Sequence, residues 1–95
     1  MVQKAVKDQI TILQSLAHPV RLQIMLHLHR KKVSNVQNIY RNLELEQSIT
    51  SQHLKTLREA DLIKSKREGR NIYYSINYPI LKNALKGIEK MFSGK

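Results

Sequence analysis

Residues 47–76, QSITSQHLKTLREADLIKSKREGRNIYYSI, constrain this chain more than any other stretch. A short helix-forming run passes without a linker into two strand-forming segments joined around Gly69. Thr50, Leu54 and Leu57 fall at i, i+4 and i+7, which places them on one inward face of a helix. Ser48 suits the start of that helix as an N-cap, and the pattern carries it to Ala60. Beyond Asp61 and Leu62, Ile63 to Glu68 and Asn71 to Ile76 read as two strands. Ile72, Tyr74 and Ile76 alternate inward, and Gly69 permits the positive φ of a tight turn.

The flanking segments read as support for this element. Residues 4–16 carry Val6, Ile10, Leu13 and Leu16 at helical spacing, and His18-Pro19 breaks that helix and opens the next. Leu22, Met25, Leu26 and His29 mark one face of the second helix. It ends near Arg30-Lys31-Lys32, where cations suit the helix dipole. Ser34 or Asn35 can cap a short third helix containing Val36, Ile39, Tyr40 and Leu43, followed by a polar turn at 44–47 with Leu45 as its apolar plug. Tyr78-Pro79 opens a last helix with an apolar stripe of Ile80, Leu81, Ala84, Leu85, Ile88, Met91 and Phe92. The order is three helices, a turn, a fourth helix, a hairpin and a fifth helix. It is mainly α with a small β-hairpin, the order of a winged helix-turn-helix.

Composition fits that architecture and narrows its partners. Ninety-five residues make one domain, 1–95, with 41% of positions available for a core. Seventeen Lys and Arg against seven Asp and Glu give a net charge of +10, which favours a polyanionic partner. There is no cysteine, which excludes disulfides, thiolate metal sites and thiol redox sensing. No apolar run approaches the ~20 residues that span a bilayer. Asp8 and Gln9 interrupt the N-terminus before a secretory h-region forms, so a soluble cytoplasmic protein without membrane partners is expected.

With Thr50, Leu54 and Leu57 inward, the opposite side of the 48–60 helix carries Ser48, Ser51, Gln52 and Lys55. Gln47 lies just before it, and Ile49 on its flank. Glutamine can bond adenine bidentately in the major groove, serine reads several base edges, and Ile49 suits a thymine methyl. Lys55 is better placed for phosphate. The hairpin adds Lys64, Lys66, Arg67 and Arg70. Arg67 and Arg70 flank Gly69 at the tip, where they can lie near the DNA backbone or in a minor groove, with Asn71 beside them.

Three phrases in order carry a family resemblance. They are Leu16-Ala17-His18-Pro19-Val20-Arg21-Leu22, the run Ser51 to Leu62 (SQHLKTLREADL), and the run Arg67 to Tyr74 (REGRNIYY). The chain resembles the ArsR/SmtB family of bacterial winged-helix repressors over roughly residues 10–90. The resemblance implies a homodimer paired through its first and last helices on an imperfect inverted repeat in a promoter. Many family members are released from DNA by a metal ion or another inducer. The family's recognition positions fall on Gln47, Ser48, Ile49, Ser51, Gln52 and His53, and its wing tip on Arg67 to Asn71. A dimer surface is expected at Ile10, Leu13, Leu81, Ala84, Leu85, Ile88, Met91 and Phe92.

The family's metal-sensing positions are not retained. Where metal sensors place paired cysteines and an acid, this chain has Asn35, Gln37 and Asn38. Where others carry Asp, His and Glu ligands on the last helix, it reads Tyr78 to Lys82, and Glu89 stands alone. Neutral amides are poor ligands for soft or borderline metals. His27 and His29 point about 200° apart on a helix and cannot share an ion. His18 and His53 are expected to be packed or backbone-bonded. The chain is thus read as metal-independent and without a cofactor, its control by an inducer, a partner protein or concentration left open. The seven carboxylates form no evident pair, and an enzyme is not expected. The alternatives are a winged-helix protein-interaction module and a nonspecific nucleic-acid binder driven by counterion release.

Overall fold

A proline at a first helical turn and three left-handed residues at helix ends set the path of the chain. The computed structural model describes residues 10–93. Helix α1 occupies residues 10–16 of that range; the expected earlier turns, with Val6, lie outside the described residues. His18 is extended, its Nδ1 accepts the Val20 amide at 3.2 Å, and α2 (Pro19–Lys31) begins with proline where no donor is lost. Lys32, at φ 73°, ends α2 and returns its amide to the Leu28 carbonyl.

Asn35 then caps α3 (Val36–Asn42), its side-chain oxygen accepting the Asn38 amide at 2.9 Å. Glu44 at φ 55° closes that helix, and the Leu45 amide reaches back to the Tyr40 carbonyl at 2.8 Å. These residues make the tight turn into α4 (Gln47–Glu59). The hairpin follows as β2 (Ile63–Glu68) and β3 (Asn71–Ile76), paired from Ile63↔Ile76 to Glu68↔Asn71. Gly69 at φ 64° turns the tip. Helix α5 (Tyr78–Ser93) completes the described chain.

Three expectations need correction. The sheet has three strands rather than two, because β1 (Ser34–Asn35) pairs antiparallel with β3, in the order β1-β3-β2. Helix α4 starts at Gln47, one residue before the expected Ser48 cap. Glu46 takes the cap position with no side-chain bond, and its carbonyl accepts both the amide and the hydroxyl of Thr50. Helix α2 turns a different face to the core. Ile24 and Leu28 are fully buried and Met25, as expected, is buried too, whereas Leu22 and Leu26 are 47% and 56% exposed. Those two leucines instead border a hollow shared with Leu16, Ile76, Leu81 and Leu85.

The core joins α2, α3, α4 and the base of the hairpin through Ile24, Leu28, Ile39, Leu54, Leu57, Leu62 and Ile63. Full burial of each such side chain contributes about 1.5–3 kcal/mol. Thr50 is also fully buried, with its hydroxyl satisfied by Glu46. This packing fixes the orientation of α4 and seats the wing directly against its C-terminal end.

Candidate nucleic-acid interface

The buried stripe of α4 is Thr50, Leu54 and Leu57, as its spacing predicts. With that side against the core, Gln47, Ser48, Ile49, Ser51, Gln52 and Lys55 all stand exposed on the outer side. The face is polar apart from Ile49, which is 42% exposed. Its side chains offer amide, hydroxyl and ammonium donors together with amide and hydroxyl acceptors, the groups that read base edges and hold phosphates.

The wing supplies charge. In β2 only Ile63 is buried; Lys64, Lys66, Arg67 and Glu68 are exposed because β2 is an edge strand. Lys66 and Glu68 sit two apart on one side of the strand and form an exposed ion pair at 3.6 Å. Such a pair is weak and leaves the Lys66 head available. Arg67 points to the other side, opposite Ile72, and Arg70 follows Gly69 at the tip. Gln47 and Ser51 of α4 line one open cleft with Arg70 and Asn71 of the wing. Two stretches read separately in the sequence therefore meet on one surface. Asn35 and Gln37 line the same cleft. The sequence pointed to them only as a cap and as positions of an absent metal site.

His53 differs from its neighbours. It is partly buried on the flank of the inward stripe, and its Nδ1 accepts a hydrogen bond from Arg21 Nε at 3.3 Å. Its ring centroid lies 4.6 Å from that of His18, tilted by 55°. Arg21 Nη1 also donates to the Ser15 carbonyl at 3.1 Å. Burial first, then the nearby His18 and Arg21, push the His53 pKa below its usual value. Arg21 was seen in the sequence only as part of a family phrase; a contact across 32 residues leaves no local signal.

The other histidines are also engaged. His27 is 3% exposed and pairs through Nε2 with the Ser34 hydroxyl at 3.0 Å. Burial, then Lys31 and Arg30, lower its pKa. His29 Nδ1 meets the Tyr78 hydroxyl at 2.8 Å. Among the described residues no three of His, Cys, Asp and Glu converge as a metal site would require. No described helix is long and apolar enough to cross a membrane.

Comparison with known proteins decides the lineage. The family model for bacterial regulatory proteins of the arsR family matches residues 18–65. The transcriptional repressor PagR of Bacillus anthracis is 40% identical over 82 residues, covering 86% of this chain and 82% of that protein. The chain belongs to the arsR family. Similarity extends to the transcriptional activator HlyU of Vibrio cholerae, 29% identical over 83 residues, covering 87% of this chain and 76% of that protein. The PagR crystal structure superposes with a TM-score of 0.76 at 38% identity, covering 90% of this chain and 98% of that one. As an arsR-family member, the protein is a DNA-binding transcriptional regulator with a winged helix-turn-helix, and its relatives are regulators rather than enzymes.

Of the residues expected at an arsR-type dimer surface, Ile10 and Leu85 are 47% and 52% exposed. Leu13 and Leu81 are partly buried, and Ala84 is buried within this chain. Ile88, Met91 and Phe92 are placed on α5, but their side chains lie outside the described residues.

Proposed function

We propose that this chain is a dimeric, sequence-specific repressor that binds an inverted-repeat operator. Helix α4 would enter the major groove with Gln47, Ser48, Ile49, Ser51 and Gln52 toward base edges and Lys55 toward phosphate. The wing, with Lys66, Arg67, Arg70 and Asn71, would follow the backbone or the adjacent minor groove. His53 belongs to this element as the residue that seats α4. One observation carries the reading: the exposed face of α4 and the wing tip share one cleft, lined by Gln47, Ser51, Arg70 and Asn71. The charge of +10 supplies the attraction to phosphate.

A twofold dimer would place two such helices about 34–36 Å apart, one turn of duplex. The exposed Ile10 and Leu85 support pairing through α1 and α5. Repression is the sense of regulation given for PagR, whereas HlyU is an activator, and operator position decides between the two. No familiar metal site is proposed, since Asn35, Gln37 and Asn38 offer amides.

Selection of bound sequences from a random duplex library tests this reading. Enrichment of an inverted repeat with half-sites about one turn apart is expected. Recovery of unrelated sequences at equal affinity would favour a nonspecific binder, and failure to bind any duplex would favour a protein-interaction module.

A further inference from the structure

Arg21 ties together three parts of the molecule that the sequence keeps apart. Its guanidinium donates through Nη1 to the carbonyl of Ser15 at the end of α1, and through Nε to His53 Nδ1 on α4. A guanidinium holds its donors in one rigid plane, so two bonds fix the relative placement of both partners. Ser15 is itself buried, with its hydroxyl returned to the Thr11 carbonyl. The bracket therefore rests on a settled segment of α1.

The protonation state of His53 follows from its partner. The Arg21 Nε–H is a donor only, so His53 Nδ1 must be bare and the neutral ring carries its proton on Nε2. His18 Nδ1 likewise accepts the Val20 amide. The two rings lie 4.6 Å apart beside the arginine; a proton added to His53 Nδ1 would set N–H against N–H. Among the described residues, the charged and titratable groups bearing on His53 are His18, at the head of α2, and Arg21, in its first turn. Both are basic or cationic, and the described part of α1 contributes a backbone carbonyl to the bracket.

We propose that Arg21 is a positioning residue for the recognition helix, setting the seat of α4 through neutral His53 rather than through contact with DNA. The proposal rests on the reading of α4 as the recognition element. It makes base-specific recognition depend on an α1–α2–α4 bracket that lies to the side of the DNA-facing residues. Protonation of His53 would release the bracket while raising the positive charge, so specific and nonspecific binding would move in opposite directions as pH falls.

The test compares wild type, Arg21→Gln and His53→Asn on the duplex enriched by selection and on its scramble, between about pH 7.5 and about pH 5.5. Arg21→Gln should lose on the order of tenfold in the ratio of the two affinities at the higher pH, with helix content retained. In wild type the ratio should fall toward the lower pH. His53→Asn keeps an acceptor near the Nδ1 position without a proton to gain. It should retain much of the wild-type ratio and flatten any pH dependence. An equal loss on both duplexes in Arg21→Gln, or a His53→Asn variant that loses the ratio as fully as Arg21→Gln does, would overturn the proposal. A readout free of DNA separates this from failure of the function itself. Nitrogen-detected spectra of wild type should show His53 protonated at Nε2. Arg21→Gln should lose that fixed tautomer and shift amides along residues 47–59; shifts confined to residues near Arg21 would refute the bracket even if no duplex is preferred.

Discussion

The amide of Leu62 donates to the carbonyl of Leu57 at 3.0 Å, closing α4 over a left-handed Asp61. The Asp61 amide bonds the Arg58 carbonyl at 2.9 Å, and Leu57 and Leu62 are both fully buried. This is a Schellman closure with its hydrophobic contact, built on an aspartate where glycine is the usual residue. It ends α4 and starts the wing two residues later. A β-branched side chain tolerates φ near 61° poorly. Asp61→Val should destabilise by about 1–2 kcal/mol, and Asp61→Gly should be neutral or slightly stabilising. Thermal melts followed by circular dichroism should rank Gly at or above wild type and Val some 4–8 °C lower for each ~1 kcal/mol lost. A Val variant as stable as wild type would contradict the left-handed closure.

Gln52 and Arg67 should fail in different ways. Gln52 stands exposed on the outer face of α4, and Gln52→Ala should cost ~1–3 kcal/mol on the best site and relax preference there. Arg67→Ala on the exposed wing should weaken all duplexes alike and reduce the salt slope by about one. Titrations of both variants on matched and scrambled duplexes over a salt series check the assignment. A loss with Arg67→Ala confined to one sequence would move it from backbone to base contact.

Stability should decline on mild acidification, with His27 one cause. Burial and the neighbouring Lys31 and Arg30 depress its pKa below 6.5 in the folded chain. Above that value both states hold it neutral and its contribution is complete. As pH falls below 6.5, the unfolded chain takes a proton that the folded chain resists, and stability drains until the folded-state pKa is passed. Denaturant unfolding across this window should show the decline, and it should be shallower in His27→Gln. An identical slope in the variant would remove His27 from the explanation.

Much of this was legible because local signals agreed. Asn35 caps α3, Thr50, Leu54 and Leu57 mark one side of α4, and Gly69 turns the hairpin. Each needs only a few neighbouring residues. Strand β1 is two residues long, too short for any alternation to show. Helix α2 carries apolar residues on more than one side, so spacing alone could not choose Ile24 and Leu28 over Leu22 and Leu26. The α4 cap falls two residues before Ser48: serine is the better capping side chain, yet the backbone of Glu46 takes the role. Within the candidate interface the outer residues followed from helical geometry. The Arg21–His53 bond depended on tertiary packing between α2 and α4.

Association should be separable from folding. Leu85 is 52% exposed within the chain, so a polar residue there costs the monomer little. Sedimentation equilibrium should find Leu85→Lys shifted toward monomer while its helix content is kept. Unchanged association would take Leu85 out of the dimer surface, and unfolding would assign it to the core of the chain.

Binding to the duplex upstream of the chain's own gene, against a scramble of equal composition, tests the central claim most directly. It should be measured across a salt series with EDTA present. Sequence-specific and metal-independent recognition predicts a preference on the order of 10³-fold or more, with affinity for both duplexes falling as salt rises. Equal affinity for the two at every salt concentration would contradict it.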